Sequence, residues 1–317
     1  MNDGRRGWLV RARRLLNLLF LVLVPVLLWL LARNLQWHEV SQAVGAYSAT
    51  TLLLALMSTA LSFALYSSYD LLAGRYVRHS LPARRVLALG FVVYAFNLNL
   101  SAWVGAIALR YRLYSRLGLE VGTITRILSF SLATNWLGYL LLAGVLFALG
   151  LVRLPDHWTL GSSGLRMVGG ALLAVAATYL LACRFAKRRT WRWRNQCLEL
   201  PGTTMSLIQA ALSSLNWMLP ALVVFLLLPV GASYPQVLGI MLISSIAGII
   251  THIPAGLGVL EAVFITLLQQ QLGKGAVLAA LLGYRAIYLL LPLALASMVY
   301  LVLERRAKAL RQHRQHT

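Results

Sequence analysis

Residues 252–264 read HIPAGLGVLEAVF, and they interrupt a stretch in which no Asp, Glu, Lys or Arg occurs between Glu199 and Glu261. Pro254 removes a backbone donor, and Gly256 and Gly258 relax the backbone just before the carboxylate of Glu261. In a bilayer, non-helical backbone persists only where protein or a water-filled cavity satisfies its N–H and C=O groups. A helix restarting after such a break points its positive N-terminal end at the break. Glu261 then lies about one turn inside that helix.

The rest of the chain puts this stretch in a membrane. Of its 317 residues, 60% are hydrophobic and 12% charged, with a mean hydropathy of +0.75, which excludes a soluble globule. Apolar runs at 15–32, 50–69, 127–152 and 286–303 reach the length of spanning helices. The first run is too long, and lacks the small-residue cleavage site, to be a removed signal peptide. The net charge of +21 is segregated: 24 of the 29 basic residues fall in clusters at 5–14, 75–85, 110–126, 184–194 and 305–314, each flanking an apolar run. That is how cytoplasmic loops are marked, and it predicts contact with anionic lipid rather than nucleic acid. Cys183 and Cys197 flank a basic loop on the same side, so neither a disulfide nor a metal site is expected. The chain carries no nucleotide loop, nucleophile elbow or paired catalytic carboxylates, so neither a cofactor nor an enzymatic activity is expected.

With all five clusters inside, the number of crossings between successive clusters is even. The sequence then reads as an all-α polytopic protein with six full spans (15–33, 50–73, 124–150, 165–183, 203–229 and 276–303). Two re-entrant hairpins, 86–117 and 236–271, enter from opposite sides. Eight full spans is the alternative. The organisation is a basic cytoplasmic tail (1–14), a first helix with its external loop (15–49), and repeat A (50–150). Next come an external loop, helix 165–183 and a basic linker (151–202), then repeat B (203–303) and a basic cytoplasmic tail (304–317). At an offset of 151 residues, ALS at 60–62 meets ALS at 211–213, VL at 86–87 meets VL at 237–238, and Gly105 meets Gly256. The matched helices 50–73 and 203–229 run in opposite directions, which makes an inverted repeat of the kind from which transporters build a central site.

At the same offset Arg110 meets Glu261, and the two are expected to pair, because either alone costs about 2.5–3.5 kcal/mol in lipid. Asn97, Asn99 and Ser101 cluster at the first tip, and His252 approaches the second. Asn135, Tyr284 and Arg285 join them from neighbouring helices. Gly105, Pro254, Gly256 and Gly258 are the expected backbone breaks. Asp70 is placed at the membrane interface beside Arg75. Trp8, Trp37, Trp103, Trp158, Trp191 and Trp193 are expected as interfacial anchors.

Three segments, AFNLNLSAWVGAIALRYRLYSRLGL, TNWLGYLLLAG and SSIAGIITHIPAGLGVLEAVF, resemble the transmembrane, flippase-like domain of lysylphosphatidylglycerol synthases. The likeness is greatest to stand-alone inner-membrane members of that family in Gram-negative bacteria. It covers nearly the whole chain and implies a lipid-handling protein of the inner membrane. In the synthases the membrane domain moves aminoacylated phosphatidylglycerol between leaflets, while a separate soluble domain makes it. Here the chain ends 14 residues after position 303, so synthesis is not carried over. The partners implied are membrane phospholipids, in particular anionic ones, with an enzyme of lipid synthesis as a further candidate.

Overall fold

The computed structural model describes residues 42, 45–100, 107–152, 161–186, 190–193, 196–251, 253 and 256–302. The chain divides into two units, Met1–Gln42 and Ala43–Thr317, and the elements below all lie in the second. The expected first helix, Ser101, Gly105, His252, Pro254 and the side chains of the six anchoring tryptophans fall outside what is described.

Helix α1, Ala49–Val77, starts at Ser48, whose hydroxyl accepts from the Thr51 N–H at 3.1 Å. It ends where Arg78 turns left-handed (φ 57°) and the His79 N–H returns to the Gly74 carbonyl. Its 29 residues exceed the thickness of a bilayer core, and α1 is the hub of the fold. It packs on α2 (Ala83–Asn99), α4 (Val121–Ala148) and α6 (Thr203–Leu227). Between α2 and α4 lies α3, Leu109–Arg116, only eight residues long. Helix α5, Gly161–Phe185, packs along α4. After α6 come α7 (Tyr234–Thr251), α8 (Val259–Leu272) and α9 (Lys274–Tyr284). Helix α9 runs on through a π-helical segment, Arg285–Leu290, as one helical span to Val302.

Six of the described helices are long and apolar enough to cross a membrane: Ala49–Val77, Val121–Ala148, Ser163–Phe185, Thr203–Leu227, Tyr234–Thr251 and Lys274–Val302. Five coincide with expected spans. Tyr234–Thr251, read from sequence as a hairpin arm, has 18 residues and qualifies by length. The basic linker contains a feature the sequence reading left out: strands β1 (Thr190–Trp193) and β2 (Gln196–Glu199) pair antiparallel. The Tyr76 hydroxyl holds this hairpin to the end of α1 by exchanging hydrogen bonds with the backbone of Glu199.

Close helix contacts rest on small residues, as they do where lipid supplies no hydrophobic drive between helices. A Cβ at Gly138 of α4 would lie 2.4 Å from the Ser213 carbonyl carbon of α6, and one at Gly169 of α5 would lie 2.3 Å from the Ala148 nitrogen of α4. Gln209 ties the same three helices by polar contacts, accepting from Tyr179 at 2.9 Å and donating to Thr134 at 2.7 Å. Leu53, Met57, Met167, Val175 and Met298 are all more than half exposed, as lipid-facing side chains are.

Candidate functional site

The sequence SFALYSSYD at 62–70 places Ser62, Tyr66, Tyr69 and Asp70 on one face of α1, at helical spacings of four, seven and eight. All four are buried. Asp70 is fully enclosed and gathers donors from two further helices. Arg110 of α3 grips it through Nε at 3.2 Å and Nη2 at 2.7 Å, the Tyr114 hydroxyl donates at 3.0 Å, and Ser131 of α4 donates at 2.7 Å. Both members of the ion pair are 0% exposed. A two-point guanidinium–carboxylate contact with further hydroxyl donors is the geometry that makes a buried pair tolerable.

The remaining polar groups of that face continue inward. Arg110 also reaches the Tyr66 hydroxyl. The Tyr66 ring stacks on Tyr94 of α2, centroids 3.8 Å apart and planes at 9°. The Tyr94 and Tyr288 hydroxyls meet at 2.9 Å, Tyr288 meets Ser62 at 2.7 Å, and Ser62 donates to Asn216 of α6 at 2.9 Å. Tyr288 stacks on Tyr284 at 5.1 Å, and next to Tyr284 stands Arg285.

Arg285 opens the π segment and pairs with Glu261, through Nε at 2.5 Å and Nη2 at 2.9 Å. The pairing follows from the chain: α8 and α9 meet at Gly273 (φ 81°), and the two charges stand equally far along the chain from that turn on either side. An antiparallel pair of helices brings such positions level. Glu261 also accepts the Gly258 N–H at 3.0 Å, closing the N-terminus of α8 just after the left-handed Gly256 and Gly258 (φ 57° and 81°). This pair is less enclosed than the first, with Glu261 19% exposed and Arg285 6%. The π geometry displaces carbonyls from the usual ladder. Asn99 meets one of them, donating to the Leu289 carbonyl at 3.2 Å and to Ala95 at 2.8 Å.

These contacts correct two expectations. Arg110 does not pair with Glu261: each has its own buried counter-charge, Asp70 and Arg285. Nor is Asp70 an interfacial partner of Arg75, because α1 runs on for seven residues beyond it and side chains of α3 and α4 close over it. Asn97 lies half-buried in the last turn of α2, and Asn135 offers its backbone carbonyl to the Trp217 indole N–H at 3.0 Å. Ser244, Ser245 and Thr251 turn their hydroxyls back on their own helix. Tyr66, Tyr94, Tyr114, Tyr288, Ser62 and Ser131 were not singled out from sequence. For Ser62, Tyr66 and Tyr288 the signal was a polar stripe at helical spacing inside an apolar run, in SFALYSSYD and again in YRAIY at 284–288.

The site is therefore a column of hydroxyl and amide groups inside a helical bundle, with an arginine–carboxylate pair towards each end. Residues 17–296 match the lysylphosphatidylglycerol synthase TM region. The chain belongs to that family. Among its relatives, the inner membrane protein YbhN of Escherichia coli (strain K12) is 50% identical over 312 residues, covering 98% of each chain. A protein of Synechocystis sp. designated slr0712 and described as uncharacterized is 31% identical over 267 residues, covering 83% of this chain and 82% of its own length. Family and helices together make the chain a multi-pass membrane protein.

Proposed function

We propose that this chain is a lipid translocator of the bacterial inner membrane, carrying an anionic phospholipid or a related lipid between leaflets, with both termini cytoplasmic. The observation that carries the reading is the buried column between Asp70–Arg110 and Arg285–Glu261. Ionisable groups within the bilayer are costly, and where they occur they mark pathways more often than packing. The family supports a lipid as the substrate class, and the name of the Escherichia coli relative supports the inner membrane. In this account segments 86–117 and 236–271 are re-entrant hairpins of an inverted repeat. The fourteen residues of α8 support that for the second hairpin, since α8 is shorter than a span of about 20 residues. Without a nucleotide motif, movement is passive, ion-coupled or assisted by a partner, and the chain acts as a carrier rather than an enzyme.

One observation favours a second reading, a non-transporting partner of a lipid-synthesis enzyme. Ser62, Tyr94, Tyr288 and Asn216 satisfy one another, as packed structural groups do. Reconstitution in liposomes separates the two. With headgroup-labelled anionic lipid, a translocator exposes inner-leaflet label to an external quencher faster than empty vesicles do, with or without an ion gradient. A scaffold does not, and chemical alteration of the lipid would make the chain an enzyme.

A further inference from the structure

A groove of ≈ 620 Å³ runs between α1, α2 and the last helical stretch, with Leu56, Ala60, Ala88, Leu291 and Leu295 on its walls and Phe63 at its floor. Two hydroxyls border it, and both are turned away: Thr59 donates to the Ala55 carbonyl and Ser67 to the Phe63 carbonyl. The groove therefore offers an occupant almost no polar partner, and water would find none of the two to four hydrogen bonds it needs. Leu56, Leu291 and Leu295 are 39%, 43% and 48% exposed, so the groove opens on the lipid-facing surface. Along α1 it extends from Leu56 to Ser67, about 16 Å at the rise of a helix. This is the shape of a bed for a hydrocarbon chain.

Beyond one end of the groove, α2 carries two basic residues. Helices α1 and α2 run antiparallel and touch where Gly90 abuts Ser67; a Cβ there would lie 2.9 Å from the Ser67 Cα. One turn before Leu87 and Ala88, at the start of α2, stand Arg84 and Arg85, both exposed. A lipid with its chain between Leu56 and Ser67 would carry its phosphate to these guanidinium groups, which match a phosphate in charge and geometry. We propose that this groove is a binding site for an anionic phospholipid, with one acyl chain seated against Phe63 and the phosphate held by Arg84 and Arg85. The site goes beyond translocation and does not depend on it. It requires only that the chain lie in a bilayer, and the Phe63 ring separates it from the Tyr94 and Tyr288 rings, 4.8 and 5.8 Å away.

A photo-crosslinking amino acid at Ala88, and separately at Met167 on the lipid-facing surface of α5, tests this in the full chain. The protein is placed in vesicles of mixed phosphatidylglycerol and phosphatidylethanolamine. Adducts at Ala88 should be enriched in phosphatidylglycerol over the bilayer, while those at Met167 should follow bilayer composition. Arg84→Ala and Arg85→Ala, both at exposed positions, should each lower the enrichment roughly five-fold. Ala60→Trp, which fills the groove, should remove the lipid adduct at Ala88. Equal composition at the two positions overturns the site, and so do adducts at Ala88 with residues 1–41 or with a second copy of the chain. Lipid movement is read in the same vesicles. Enrichment without movement keeps the groove and removes the translocator, and movement without enrichment does the reverse.

Discussion

Replacing Asp70 with Asn should be the most damaging single polar substitution in the bundle. The change is nearly isosteric, so packing is kept while the charge is lost. Arg110 then loses the carboxylate of its ion pair while it stays at 0% exposure, a loss that costs about 3–5 kcal/mol. The reverse change, Arg110→Met, leaves a carboxylate that still accepts from the Tyr114 and Ser131 hydroxyls. Asp70→Asn should therefore destabilise by about 3–5 kcal/mol and Arg110→Met by less. The double variant Asp70→Leu with Arg110→Met, which removes both charges, should recover most of the loss. The assay is reversible unfolding in mixed micelles by titration with sodium dodecyl sulfate, followed by tryptophan fluorescence. The reasoning is refuted if Arg110→Met is the worse of the two single changes, or if the double variant is as unstable as the losses of its parts added together.

Three further outcomes follow from the same contacts. In a double-mutant cycle Glu261 should couple to Arg285, with the exchange Glu261→Arg and Arg285→Glu partly restoring folded yield, whereas Glu261 and Arg110 should add within about 0.5 kcal/mol. Gly138→Ala should destabilise because its Cβ meets Ser213, while Gly170→Ala, with nothing within 4 Å, should stabilise by up to about 1 kcal/mol; thermal melts of the two variants decide this. With Cys183 and Cys197 replaced, single cysteines at 80, 116, 190 and 310 should be shielded from an external impermeant thiol reagent and those at 38, 156, 232 and 274 should react. Labelling at 116 without labelling at 38 would refute the hairpin arrangement.

Hydropathy and charge segregation sufficed to read the chain as a helical membrane protein, because a bilayer demands long apolar runs and basic cytoplasmic flanks whatever the tertiary contacts. Gly256 and Gly258 were legible as a break for the same kind of reason: left-handed backbone before a helix calls for glycine. Which charges pair was not legible. The offset of 151 residues set Arg110 against Glu261, yet pairing is decided by which helices touch. The Arg110 side chain reaches from α3 to Asp70 on α1, and Arg285 stands level with Glu261 across the turn at Gly273. The π segment left no mark in composition, although Arg285, Tyr284 and Tyr288 around it carry the site. Tyrosines in an apolar run look like core until the hydroxyls are found facing one another.

The translocator account is tested most directly by the rate at which a headgroup-labelled lipid crosses liposome membranes containing this chain. Wild-type protein should move an anionic lipid faster than empty vesicles do and faster than it moves a neutral one. Replacing Glu261 and Arg285 together with alanine leaves no charge unpaired and should slow the movement while the protein stays folded. Replacing Arg311 and Arg314 should not. Wild-type protein that is folded in the vesicles and moves neither lipid, with or without an ion gradient, would contradict the account.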